Sequence, residues 1–386
     1  MNALKTTILR EIKVLTSRRA YIFAIFVVPM FCTLFFVSLL HEGMPVRVPT
    51  AIVNQDHSAM SRQITRSLNA SQFLSITRTE EDYNSAVAAV RRGDVFGFII
   101  IPANFEADAV AGRTPHIDYY SNMTYFVSGT MLFKGFKLTT VTATGGMVRS
   151  QLVATGMDAD AAMNLVQPMT IETHSPGNPW TNYSLYLTPS FLSTLLALMI
   201  LLATAFTITE ELKWGTSVEW LRKAGGSITT AVFGKLLPQT VIFTMLCWAM
   251  GVAVFSFGGF PLNGSVWPLA LATILFVVAN QALALAICAL LPNPRLGLSI
   301  CALTGILSFS LAGLSYPVED MYGGVAILSY ILPVRYFFLI YLDTGFNDLA
   351  LYFTRWNFVI LLVFPAVASM FMRRLKRACL RPVYVP

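Results

Sequence analysis

LTPSFLSTLLALMILLATAFTI (Leu187–Ile208) runs directly into TEELKWGTSVEWLRKAGG (Thr209–Gly226), and the change at that junction decides how the chain folds. The first stretch is apolar for longer than a soluble helix needs. The second holds three acids (Glu210, Glu211, Glu219) and three bases (Lys213, Arg222, Lys223), in a chain that is only 12% charged. A spanning helix needs about 20 mostly apolar residues. The junction therefore reads as the end of a membrane span and the start of a polar connection.

The whole chain agrees. It has 386 residues, is 55% hydrophobic and has a mean hydropathy of +0.62, against about 45–50% apolar for soluble domains. Apolar runs at 20–40, 185–209, 231–257, 267–291, 297–316 and 356–372 predict six spans with both termini on one side. The first run is followed by VSLLHEGMPVR, which offers no small-residue cleavage site, so it reads as a retained span. The net charge of +7 is concentrated. Lys5, Arg10, Lys13, Arg18 and Arg19 precede the first span, and Lys213, Arg222, Lys223 and Lys235 surround the second connection. Arg295 follows the fourth span, and Arg373, Arg374, Lys376, Arg377 and Arg381 follow the sixth. All fall on one side, which the positive-inside rule makes the cytoplasm. The bases are thus a topology signal, and no nucleic-acid partner is expected.

The expected fold class is a membrane α-helical protein: six transmembrane helices with an α/β extracytoplasmic domain inserted between spans 1 and 2. That domain covers 41–184. VPTAIVNQD, FLSIT, VFGFIIIP and HIDYYSN read as strands. HSAMSRQITRSLNA reads as a helix with Met60, Ile64 and Leu68 on one face, and EEDYNSAVAAVRRGD as a helix stopped by Gly93. ANFEADAVAG reads as a shorter one, and 123–167 as weakly helical, broken near Gly145–Gly146 and Gly156. The four histidines, His41, His57, His116 and His174, lie here without ligand spacing, so no metal site is expected. Cys32, Cys247, Cys288 and Cys301 lie in spans and Cys379 in the tail, leaving no disulfide framework outside.

Residues 1–19 place Leu4, Ile8, Ile12 and Leu15 at helical spacing among bases, an amphipathic helix on the inner leaflet. Within the connection 210–226, Thr216 and Glu219 have the spacing of a capping box, Arg222 and Lys223 fall in the last turn, and Gly225 supplies the stop. A helix so short is marginal alone in water, so something must bind it. Residues 373–386 read as a basic cytoplasmic tail.

An ordinary positive-inside loop would carry the same charges. The neighbouring motifs say more. EELKWGT followed by GKLLPQ (Gly234–Gln239) resembles the signature of ABC-2 type exporter permeases, carried by Glu211, Gly215, Thr216, Gly234, Lys235 and Pro238. LAGLSYPVEDMYGGVAILSYILPVRYFFLIY (Leu311–Tyr341) resembles that family's outer hairpin, with Pro317, Glu319, Met321, Leu328, Pro333 and Tyr336. NPWTNYSLYLTPSFLS and VNQDHSAMSRQI resemble the entry to its second span and the opening of its outer domain. Lys213, Ser190, Val218 and Ala224 depart from the pattern.

The resemblance implies a coupling helix at 210–226, with Glu210, Glu211, Gly215, Thr216, Glu219 and Arg222 meeting a separate ATPase subunit. It implies a second permease chain, a re-entrant hairpin at 316–346, a bacterial cytoplasmic membrane and, in Gram-negative relatives, a periplasmic adaptor. It places the second and fifth spans along the path, with Ser193, Thr194, Thr204, Thr207, Ser299, Thr304, Ser308 and Phe309 as lining groups. A path of hydroxyls and apolar groups suits an amphipathic or lipid-like cargo, although Ser and Thr in spans often bond only their own backbone. The chain has no Gly-x-x-x-x-Gly-Lys-Ser/Thr loop, so ATP and Mg belong to the partner, and no cofactor is expected here. The rival reading is an ion-coupled secondary transporter. Against it, the six apolar cores contain no Asp, Glu, His or Arg, only Asn280 and Gln281 in the fourth.

Overall fold

The structure is a computed structural model that describes residues 2–17, 23–169, 172, 178 and 182–381. The chain divides into two compact units: Glu42–His174, and Met1–His41 together with Ser175–Pro386.

The first unit is an α/β sandwich. Four strands, β1 (Val48–Asn54), β2 (Leu74–Thr79), β3 (Gly97–Ile101) and β4 (Asp118–Ser121), form a sheet in the order β2-β1-β3-β4. The β1 pairings are parallel and β3–β4 is antiparallel. Alternation along the strands assigns the faces. Ala51, Val53 and Phe98 bury against Ala86 and Ala89 of the helix Tyr83–Arg92. That helix is fixed at its start by an Asp82–Ser85 capping box and at its end by Gly93 at φ 80°. On the other face, Ile99 and Ile101 are fully buried beside Leu132 of the long helix Phe126–Ala154. Helix Ala59–Asn69, capped by Ser58, contributes Ile64 and Leu68 to the core. The long helix runs through Gly145–Gly146, where the sequence suggested a break, and ends before Gly156 at φ 92°. A helical glycine costs only about 1 kcal/mol against alanine. At Gly145 a Cβ would stand 3.3 Å from Val166, so the glycine admits the short helix Ala159–Val166.

The second unit is a helical bundle. We number its helices α1 (Asn2–Ser17), α2 (Val28–Leu39), α3 (Tyr183–Lys213), α4 (Ser217–Lys223), α5 (Ile228–Val252), α6 (Val266–Leu290), α7 (Pro294–Leu311), α8 (Gly323–Ser329), α9 (Pro333–Ile340), α10 (Leu351–Met370) and α11 (Met372–Leu380). Five runs are long and apolar enough to cross a membrane: Tyr183–Lys213, Ile228–Phe257, Val266–Leu290, Pro294–Leu311 and Leu351–Leu380. A sixth is reached if α8 and Pro333–Phe346, bent at 72°, count as one. The first expected span falls partly outside the described residues, and its described part includes the apolar helix Ile25–Leu39. The most interior helices are α3 and α6, each more than half buried over its apolar window. Helix α7 crosses α3 where Gly305 meets Leu198, and a Cβ there would lie 2.8 Å from the Leu198 Cα.

Two features mark the ends of this bundle. In α1 the buried face is Thr7, Glu11 and Leu15, while Leu4, Leu9 and Ile12 are exposed. The face that packs on the bundle is thus mostly polar and shares only Leu15 with the apolar stripe Leu4, Ile8, Ile12 and Leu15. Residues 373–380 of the basic tail belong to the helix Met372–Leu380, which buries Leu375 and Cys379.

Candidate functional site

The motif residues meet at the end of α3. Glu211, in its last turn, is 5% exposed and accepts four hydrogen bonds. Arg10 of α1 donates two of them, at 2.7 and 2.9 Å. Lys235 of α5 donates at 2.9 Å and Thr216 at 2.5 Å. Lys235, 2% exposed, also donates to Glu11 of α1 at 2.8 Å. Gln239, one turn further along α5, donates to Glu11 at 3.2 Å and to Thr207 of α3 at 3.1 Å. Two carboxylates and two cations thus sit in one buried cluster and sum to zero charge. Burying charges is costly unless they are paired and hydrogen-bonded, and here they are both. The carboxylate of Glu211 also raises the pKa of the Arg10 guanidinium, against the opposing effect of burial.

The sequence around Lys235 is what permits this. A Cβ at Gly234 would lie 2.6 Å from the Thr7 Cβ, so only glycine lets α1 lie so close on α5. That closeness brings Glu11 within reach of Lys235. Pro238 sits buried inside α5, where its ring leaves the Gly234 carbonyl without its usual helical donor.

Helix α4 hangs beneath the cluster. Its Trp220 is fully buried, with the Lys235 ammonium 5.3 Å from the ring centre. Leu221 and Ala224 bury beside it. The opposite side is open: Val218, Glu219, Arg222 and Lys223 are exposed, as is Trp214 just before the helix. Glu219 pairs with Lys223 at 2.8 Å, which holds its carboxyl below the ordinary range. The capping box is absent. Thr216 has helical backbone angles and makes no cap bond, and its hydroxyl donates to Glu211 instead. Gly215 turns the chain at φ 67°. Glu210, with Arg10, Val14, Thr207, Glu211, Trp214, Thr216 and Lys235, lines a cavity of ≈ 370 Å³.

The other expected residues are scattered through the bundle. Ser193, Thr194, Thr204, Thr207 and Ser308 are buried within the chain. Thr304 and Ser308 bond backbone oxygens of their own helix, at 2.8 and 2.7 Å. The hydroxyls of Thr194 and Thr204 are buried with no partner among the described residues. Ser299 is exposed. Phe309 stacks on Phe191, which stacks on Phe36, tying α7, α3 and α2 together. In the hairpin, Pro317 precedes a 3-10 turn at Val318–Asp320 and Pro333 opens α9. Glu319, 75% exposed, stands 3.8 Å from Arg335. Among the described residues no group of three His, Cys, Asp or Glu could hold a metal.

Apolar helices of spanning length, packed into a bundle with a short amphipathic helix over a neutralised charge cluster, define a multi-pass membrane protein. A family model described as "ABC-2 family transporter protein" matches residues 19–372. The chain belongs to that family, whose members are the membrane subunits of ABC transporters. No curated protein and no solved structure matched the chain.

Proposed function

We propose that the chain is the permease subunit of an ATP-driven exporter, energised by a separate ATPase that docks on the exposed side of α4. The observation that carries this is the two-sidedness of α4. Its inner side is locked to α1, α3 and α5 through Trp220 and the Glu211 cluster, and its outer side presents Trp214, Val218, Glu219 and Arg222. A partner pushing on that face would move three helices together, as rigid-body coupling requires.

The distribution of Lys and Arg supports six spans with both termini cytoplasmic, in a bacterial inner membrane. The uncharged hydroxyl and aromatic groups of α3 and α7 suit an amphipathic or lipid-like cargo moving between two permease chains. A periplasmic adaptor would meet the unit 42–174. The test is purification of the tagged chain from native membranes, with ATP hydrolysis measured on the product. An ATPase should co-purify, and Val218→Glu with Arg222→Glu should release it. If no ATPase is found under mild extraction, the exporter reading fails and the ion-coupled transporter returns. If the ATPase stays bound to the double variant, the docking face lies elsewhere.

A further inference from the structure

Helix α4 has seven residues and is flanked by glycines in the left-handed region: Gly215 at φ 67°, Gly225 at 69° and Gly226 at 75°. Around Gly215 and Gly226 a Cβ would meet nothing within 4 Å. Backbone angle demands glycine there, not lack of space. The connections to α3 and α5 are therefore turns at which the backbone can swing.

The short helix is also held by α11. Ser217, fully buried at the start of α4, donates to the carbonyl of Cys379 at 2.8 Å. That carbonyl lies in the last turn of α11, where no intrahelical donor reaches it. At the other end, Lys376 of α11 donates to the carbonyl of Gly226 at 2.7 Å. Between the two bonds, Leu375 and Cys379, both fully buried, belong to the same apolar cluster as Trp220 and Leu221. Helix α11 in turn continues α10 past a single break at Phe371, and the run Leu351–Leu380 has the length and hydropathy of one span.

We propose that Ser217, Lys376 and Leu375 are positioning residues of the transport cycle. They bolt α4 to α11, so the two helices move as one body and the stroke received at α4 reaches the membrane through α10. This rests on the reading of α4 as the ATPase contact. It adds a route of force through the last helix, which the motifs around α4 do not indicate.

Two measurements on the full chain in nanodiscs test it. The first is hydrogen exchange, which needs no ATPase. Ser217→Ala and Lys376→Met should each raise exchange at Trp220–Gly226 roughly fivefold, the effect of losing one net hydrogen bond. Exchange at Leu192–Leu201 of α3 should stay unchanged, and Lys376→Arg should restore protection. Unchanged exchange at α4 in both variants would overturn the bolt. The second uses the co-purified ATPase with spin labels at Lys223 and Arg373, both exposed. Their separation should be the same with and without ATP, and should become ATP-dependent in Ser217→Ala. An ATP-driven change in the wild type would show α4 moving over α11, and the route through α10 would be wrong. Should no ATPase co-purify, the exporter reading falls and the force route with it. The exchange result then decides alone whether α4 and α11 form one body.

Discussion

Lys235→Met is the most informative single change. The wild-type cluster holds Arg10 and Lys235 against Glu11 and Glu211, with Glu11 1% and Lys235 2% exposed. Removing the ammonium takes a donor at 2.8 Å from Glu11 and at 2.9 Å from Glu211. Glu211 retains the bidentate Arg10. Among the described residues Glu11 retains only Gln239 at 3.2 Å, and becomes a buried charge with no described counter-charge at contact. Breaking a buried pair in this way costs about 3–5 kcal/mol. At a factor of ten per ~1.4 kcal/mol, the undocked form of α1 should gain roughly two to three orders of magnitude in population. Hydrogen exchange of α1 amides in nanodiscs reads that directly. Adding Glu11→Gln restores neutrality and should recover part of the loss, with a coupling in the double-mutant cycle of about 0.5–3 kcal/mol. The reasoning is refuted if Lys235→Met changes α1 exchange by no more than a surface substitution, within about 0.5 kcal/mol. It is refuted equally if Glu11→Gln makes the single variant worse.

Gly234→Val should push α1 off α5, since its first added carbon would lie 2.6 Å from the Thr7 Cβ. Overpacking of this kind costs about 1–3 kcal/mol, and a Cys-accessibility assay at Thr7 should show it; an unchanged Thr7Cys reactivity would contradict the close crossing. Within the unit 42–174, Gly146→Ala adds a Cβ into open space and should raise stability by about 0.4–1 kcal/mol. Gly135→Ala places one 2.6 Å from the Phe73 Cβ and should lower it. Thermal unfolding of the full chain should separate the two variants in opposite directions. The capping carboxylate of Asp82 has its pKa lowered by the Ser85 backbone N–H and hydroxyl. Its contribution is therefore complete above the ordinary carboxylate range and lost as pH falls through the lowered folded value. Asp82→Asn should remove that acid limb from the pH–stability curve, and an unaltered curve would show that another group sets it.

The parts of this structure that sequence reveals are those set by neighbours along the chain. Spans at α3, α5, α6 and α7 follow from apolar length, and the strands of the unit 42–174 from alternation and turn residues. Helix Tyr83–Arg92 is written in its own ends, Asp82 and Gly93. What escapes is set by residues far apart. Glu11 is the lone acid in the basic segment 1–19, which was the available signal, but its partner Lys235 is 224 positions away. Thr216 has the spacing of a cap, yet its backbone is already helical and its hydroxyl donates to Glu211. The Gly145–Gly146 pair looks like a breaker because a sequence does not show that Val166 will need the room. Lys376 and Ser217 carry no motif at all, since each meets a backbone carbonyl, which every residue possesses.

The distance between Glu11 and Lys235 also sets an order of events at the ribosome. At about 5–20 residues per second, the 224 positions between them take roughly 11–45 s to synthesise. Through that interval α1 has no ammonium to meet, and its polar face must remain in water or at the headgroups. Only when α5 emerges can the N-terminal helix swing into place, closing the charge cluster and the gap at Gly234 in one step. A helix made early thus docks only after one made in mid-chain, and an insertion chaperone acting on this chain would have to hold α1 free until α5 arrives.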